Sequence, residues 1–343
     1  MPLAKHCVNC HQDIMGGKFK AAPDKIAKWK KTVVHYWDIP SLEGAGNRFK
    51  EDWIAQFLRA PKDLRPHMKS TMPFLEVSAQ DAADIAAHLT KDKKAPPKAK
   101  PGDASRGREI LDTKTCGTCH LMSGVTELKD KPDPNATGDA LRAIDLAPDL
   151  RFTRERWDHD HLVAWLLDPP GVKKGTRMPN LALTQKEAED AASYLLTTPL
   201  EEIKTSMPKR LPVLDRPVSY KEVDERVFHK TCRHCHTDAD AALGDGGPGN
   251  TGGFGFKPRK LDLSSYRGAS AGVLDKKTGE RVSVFQKLAD GTPRLVATLW
   301  ARHTEEVLHQ SNSEVRGMPI GLPPVSPEDI QLVESWIAQG RPQ

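Results

Sequence analysis

The chain has no cysteine to spare, no long apolar run and few aromatic side chains. Its 343 residues include six cysteines, with 38% hydrophobic and 6% aromatic residues. No stretch reaches about 18 consecutive apolar residues, so no membrane-spanning helix is expected. The low hydrophobic fraction and 27 prolines fit small domains with long loops, which bury little surface by themselves. The glycine-rich stretch Gly244 to Gly255 is not followed by Gly-Lys-Ser/Thr, which excludes a phosphate loop. Its neighbours Asp238, Asp240 and Asp245 lack the spacing of an EF-hand. Around no cysteine does the pattern alternate strand and helix, as a thioredoxin-like fold would.

What is present is concentrated. All six cysteines fall into three copies of Cys-x-x-Cys-His: Cys7-Val8-Asn9-Cys10-His11, Cys116-Gly117-Thr118-Cys119-His120 and Cys232-Arg233-His234-Cys235-His236. That pentapeptide reads as covalent attachment of c-type haem, one vinyl group to each sulfur, with the histidine under the iron. Zinc would take four ligands, often as two Cys-x-x-Cys pairs. Three pairs fit that poorly, and the histidine after every second cysteine would be unexplained. Three covalent haems are therefore expected. This attachment is made outside the cytoplasm, yet the first motif starts at residue 7. The expectation is that an export signal or anchor stood upstream.

The formal charge of +5 omits the cofactors. Each haem adds two propionates, and each ferric core one positive charge. The haem-bearing chain then sits at about +2 oxidised and about −1 reduced. A pI near 8.8 thus gives no argument for nucleic acid. The lysine-rich stretches read as solvated surface or as a docking face for an acidic redox partner.

One plan recurs along the chain: haem motif, long loop, Met-Pro, capped helix. Met72-Pro73 follows His11 by 61 residues, Met178-Pro179 follows His120 by 58, and Met318-Pro319 follows His236 by 82. Ser78, Thr184 and Ser326 are the expected N-caps, each with an acid three residues on. Ten residues after each cap stand His88, Tyr194 and Trp336, read as core residues. Helices are expected before the second and third motifs, over 104–114 and 220–230. A short amphipathic helix over 53–61 matches one over 161–169, each ending in proline. Charged and proline-rich stretches over 94–102 and 199–216 read as linkers between domains at 1–93, 103–198 and 217–343.

Together these features resemble the class I cytochrome c family, in three consecutive copies. The resemblance implies an all-α fold of small helical domains, with the first and last helices of each crossing around haem. It implies the axial pairs His11 and Met72, His120 and Met178, and His236 and Met318. Gly107, nine residues before Cys116, is the glycine that the family places on the first helix; the third copy has Val223 there.

Competing ligands are few. Met68 stands four residues from Met72, and Met207-Pro208 lies beyond the last helix of the second copy. His67 is a further candidate in the first copy, and His303 and His309 in the third. His6, His229 and His234 read as surface or propionate-side groups. Methionine sulfur favours ferrous iron, and His/Met haem leaves no open position. Such sites suit single-electron transfer rather than catalysis. The expected role is that of a periplasmic electron carrier, a subunit of a respiratory or dehydrogenase complex with protein redox partners. The alternatives are a multihaem peroxidase with one open site in the third copy, and a structural haem protein of an oligomer.

Overall fold

The computed structural model describes residues 11, 22–24, 39–68, 71–75, 77–233, 235–237, 259–275 and 277–343. The fold is all-α, with one short two-stranded ladder among the described residues. The chain divides into two compact units, 42–205 and 206–343 with 1–41. The division falls inside the stretch read as a first domain. No helix of the described residues is long and apolar enough to cross a membrane.

The unit 42–205 has two halves. The first holds α1 (Glu51–Arg59) and α2 (Ala79–Thr90). Ser78 caps α2 by accepting the Asp81 N–H, as expected. Trp53, Ile54 and Leu58 of α1 pack on Ala82, Ile85 and Ala86 of α2. His88 is a correction: it is exposed rather than in the core. The buried face of α2 runs through Ala82, Ile85, Ala86 and Thr90, which leaves position 88 toward solvent.

The second half holds α3 (Ala104–Thr113), α4 (Gly138–Leu146), α5 (His159–Leu167) and α6 (Gln185–Thr197). α6 starts with a complete capping box, Thr184 to the Glu187 N–H and the Glu187 side chain back to Thr184. α3 crosses α6 at Gly107, where a Cβ would lie 2.3 Å from the Asp190 carbonyl oxygen and 2.4 Å from the Tyr194 Cβ. Only glycine lets the two backbones come this close. Tyr194 is buried at the crossing, with Ile110, Leu111, Leu162 and Leu166 around it.

The two halves are bonded together. Lys50 N–H donates to the Arg156 carbonyl at 2.9 Å, and Asp149 N–H to the Leu64 carbonyl at 2.8 Å. The Phe49 ring meets Trp53 on one side and Trp157 on the other, with centroids 5.1 and 5.5 Å away. The stretch read as a spacer is tied down. Lys98 Nζ reaches Asp160, Lys100 N–H donates to Glu189, and Gly102 N–H to Ser193 Oγ. Its lysines and prolines give it an extended course, but its backbone donors are claimed by α5 and α6.

In the unit containing 206–343, α7 (Tyr220–Val223) continues as a π-helical segment, Asp224–Cys232, straight into the third motif. Widened turns of this kind are frequent at functional positions. Val223, at the place of Gly107, is fully buried. α8 (Tyr266–Ala271) precedes the strands β1 (Val273–Leu274) and β2 (Arg281–Val282), which pair antiparallel. α9 (Arg294–Leu308) lies in the stretch read as a variable loop, and α10 (Pro327–Ala338) closes the unit. Ser326 caps α10, with Pro327 in its first turn. Trp336, fully buried, is ringed by Tyr220, Phe228, Tyr266 and Phe285. The segment leading in is again pinned, Leu214 N–H to Ser335 Oγ and Val218 N–H to Gln339 Oε1.

Candidate haem-binding sites

The second motif is the best framed. α3 delivers the chain to Thr115, whose left-handed backbone (φ 55°) turns it into the short helical turn Cys116–Thr118. His120 N–H then donates to the Cys116 carbonyl at 2.9 Å. This turn places the two cysteines and the histidine on one short loop. Gly117 presses against the following segment: a Cβ there would lie 2.2 Å from the Asp130 carbonyl oxygen. That segment is held by α3. Arg108 donates to the Thr126 and Glu127 carbonyls, and Asp112 accepts the Lys129 N–H.

His120 Nδ1 lies 2.8 Å from the Pro148 carbonyl oxygen. With Nδ1–H donating there, Nε2 keeps its lone pair for a metal. Burial pushes the His120 pKa down, which favours the neutral imidazole that ligation needs. His11 repeats the arrangement: its Nδ1 lies 2.8 Å from the Pro40 carbonyl oxygen. The two proline carbonyls follow their histidines by 29 and 28 residues. Sequence reasoning missed both prolines, although the matching offsets were there to be counted. For His236 the described residues show a different frame, with Leu263 N–H donating to the His236 carbonyl at 2.8 Å. Burial lowers its pKa as well.

Cys116 and Met178 both border the apolar core of the second half, and Cys232 and Met318 both border that of the 206–343 unit. Met72 borders the core of the first half. Burial raises the Cys116 thiol to about 11 and the Cys232 thiol to about 12, and raises Cys235 too. Among the described residues, no three His, Cys, Asp or Glu side chains gather as a metal cluster. Cys7 and Cys10 lie outside the described residues, as do His6, His234 and the glycine-rich stretch 244–255.

The indole N–H of Trp165, on α5, donates to Met178 Sδ at 3.1 Å. Met68, the competitor of Met72, is turned toward Arg65, whose Nη1 lies 3.9 Å from its sulfur. His303 Nε2 lies 2.8 Å from the Val325 carbonyl oxygen and is thereby engaged. Met318 N–H donates to the Thr298 carbonyl at 3.0 Å, which ties the Met-Pro segment to α9. The preceding Gly317 N–H donates to the buried Glu305 carboxylate at 3.0 Å. These α9 contacts were invisible in the sequence, because the helix itself was read as loop.

The residues from 104 to 199 match the family model of cytochrome c. This part of the chain is similar to a cytochrome c domain. Its bounds coincide with α3 and α6, the crossing helices that enclose the second motif. No curated protein and no solved structure matches the chain. Haem c fits the groups present in the domain. The motif offers two sulfurs and a neutral imidazole with Nδ1 committed, and Met178 offers a thioether.

Proposed function

We propose that the chain is a trihaem c-type cytochrome that passes single electrons between protein redox partners outside the cytoplasm. It serves as a subunit of a respiratory or dehydrogenase complex. The bound haems supply the one-electron iron couple. The chain holds them through Cys7 and Cys10, Cys116 and Cys119, and Cys232 and Cys235, with axial pairs His11/Met72, His120/Met178 and His236/Met318. The domains are 1–93, 103–198 and 217–343.

The observation that carries this reading is the repeated bond from motif histidine to proline carbonyl, at His11 and at His120. A dithiol motif has no use for an imidazole held in one tautomer, whereas an axial ligand does. The cysteine and methionine of one copy bordering the same core, in the second and third copies, support the ligand pairs. Six-coordinate His/Met iron has no place for substrate, which favours transfer over catalysis.

The test is haem stoichiometry on the protein expressed with a haem-attachment system. Three covalent haems per chain, with the weak far-red methionine-to-iron band at three haems' intensity, are expected. Fewer than three haems, or a high-spin signal from one of them, would refute the trihaem His/Met reading.

A further inference from the structure

Helix α9 enters its core through Leu295, Val296 and Leu299, yet one turn on its buried positions are polar. Arg302, His303 and Glu305 are only 3%, 8% and 4% exposed. Polar and charged groups at such depth need partners. Arg302 Nε donates to the Leu322 carbonyl at 2.8 Å, and His303 Nε2 lies 2.8 Å from the Val325 carbonyl oxygen. The Glu305 carboxylate accepts the Gly317 N–H at 3.0 Å, and the Thr298 carbonyl accepts the Met318 N–H at 3.0 Å. Positions 298, 302 and 305 stand four and three residues apart, on one face of the helix. That face therefore holds the main chain of 317–325 at Gly317, Met318, Leu322 and Val325. Arg302 also pairs with Glu306 at 2.7 Å and lies 3.8 Å from Glu305, so its charge is answered within the helix.

The fit is tightest at Gly317. A Cβ there would lie 2.4 Å from one Glu305 carboxylate oxygen and 2.5 Å from the other. Any side chain at 317 would displace the carboxylate from the N–H that it accepts. The second copy places its methionine differently: Met178 N–H donates to the hydroxyl of Thr176, two residues before it, at 3.2 Å. The third copy separates motif histidine from methionine by 82 residues against 58 in the second. A longer connection has more freedom to lose when its end is fixed. α9 lies inside that connection, and its polar face supplies the fixing.

We propose that α9 is a clamp on the Met318 loop, with Glu305 as the positioning residue for Met318 and with Arg302 and His303 holding the loop further along. This rests on the trihaem reading above. It adds that the third iron is closed to small ligands because the helix holds the loop, not through the thioether alone. A ligand ordered beforehand loses less freedom on binding. Opening the clamp should convert the third copy from a transfer site into one with a free position.

The test compares holoprotein of wild type, Glu305→Ala, Glu305→Gln and Gly317→Ala. The readouts are the far-red methionine band of the oxidised protein, azide binding to the oxidised haems, and amide hydrogen exchange over 317–325. Glu305→Ala and Gly317→Ala are each expected to lose one haem's share of the band. Azide affinity at that haem should rise by about a hundredfold, as the open loop goes from about one molecule in a hundred to most of them. The Gly317 and Met318 amides should exchange faster in both variants. Glu305→Gln keeps an acceptor oxygen and should retain the band. Gly317→Ala removes no polar group, so it tests the clamp even where Glu305→Ala fails to fold. A full band with unchanged azide affinity in either alanine variant carrying three haems overturns the clamp, and so does a Glu305→Gln protein as open as Glu305→Ala. A wild type with fewer than three covalent haems, or already short of one haem's share of the band, overturns the trihaem His/Met reading instead.

Discussion

Gly107→Ala pits two opposing effects against each other at one residue. In an exposed helix, alanine in place of glycine would stabilise by about 1 kcal/mol. At this crossing the new methyl would lie 2.3 Å from a backbone oxygen of Asp190 and 2.4 Å from the Tyr194 Cβ. Ordinary contact lies near 3.5–4.0 Å, so α3 and α6 must move apart by roughly 1 Å or more. Backbone oxygen cannot rotate away as the end of a side chain could. Overpacking of this kind costs about 1–3 kcal/mol, often more where backbone is involved. The net loss expected is about 1–2 kcal/mol after the gain in helix propensity is subtracted. For a unit of this size that lowers Tm by about 2–8 °C. Thermal unfolding of the holoprotein, followed by circular dichroism, measures it, and Gly107→Val should lose more than Gly107→Ala. A Gly107→Ala protein at least as stable as wild type would refute the close crossing. Because α3 runs directly into Cys116, the same displacement should perturb the far-red methionine band that the proposed His120/Met178 pair would give.

Other outcomes follow from the same geometry. Trp165→Phe removes the 3.1 Å donor to Met178 sulfur and imitates the first copy, which has Phe57 there. A hydrogen bond of about 1 kcal/mol that withdraws electron density from the sulfur should be lost, lowering that haem's potential by up to about 40 mV. An unchanged potential, measured by redox titration, would argue against the bond. Val223→Gly in the third copy should not mimic Gly107. It removes a fully buried side chain and should cost about 2–3 kcal/mol in denaturant unfolding. For Asp112, burial opposes the charged form, but the Lys129 N–H and the Arg108 guanidinium outweigh it and hold the carboxyl below its usual value. Its contribution is therefore present above the ordinary carboxylate pKa and lost as pH falls through the lowered one. Asp112→Asn should flatten the acid limb of a stability-versus-pH curve, and an unaltered limb would show that the carboxylate is not strained by acid.

The sequence was most legible where local chemistry acts alone. The caps at Ser78, Thr184 and Ser326 were readable because a hydroxyl and an acid three residues on suffice to start a helix. The helix into Cys116 and the one into Cys232 were expected from the plan that sets a helix before each motif, although the second is widened into a π form that the plan does not reveal. Equal placement misled at His88. Tyr194 and Trp336 are buried, but the buried face of α2 passes through other positions. The stretch 94–102 looked like a free spacer because its composition is that of one. Its partners, Asp160, Glu189 and Ser193, lie 61 to 91 residues away and leave no local trace. α9 was lost for a related reason. Its Arg302 and Glu305 are buried within the helix and its surroundings, so the stretch reads as polar although it is packed.

Charge was the least legible property, and it carries the most consequence for function. A net +5 says nothing about where the cations stand. Read along the chain, Arg48, Arg65, Arg156 and Lys173 are four ordinary basic residues, fit for surface or docking roles. In the fold they converge, two of them almost without solvent and with unpartnered nitrogens. A surface patch would be screened by salt and would tune the encounter with a partner. A buried group is screened much less and acts on whatever carboxylates enter it. Arg48 and Arg156 are therefore no part of a docking face. Arg48→Gln and Arg156→Gln should each change the melting temperature of the holoprotein nearly equally at low and high ionic strength, and a strong salt dependence of that change would place the cations back at the surface.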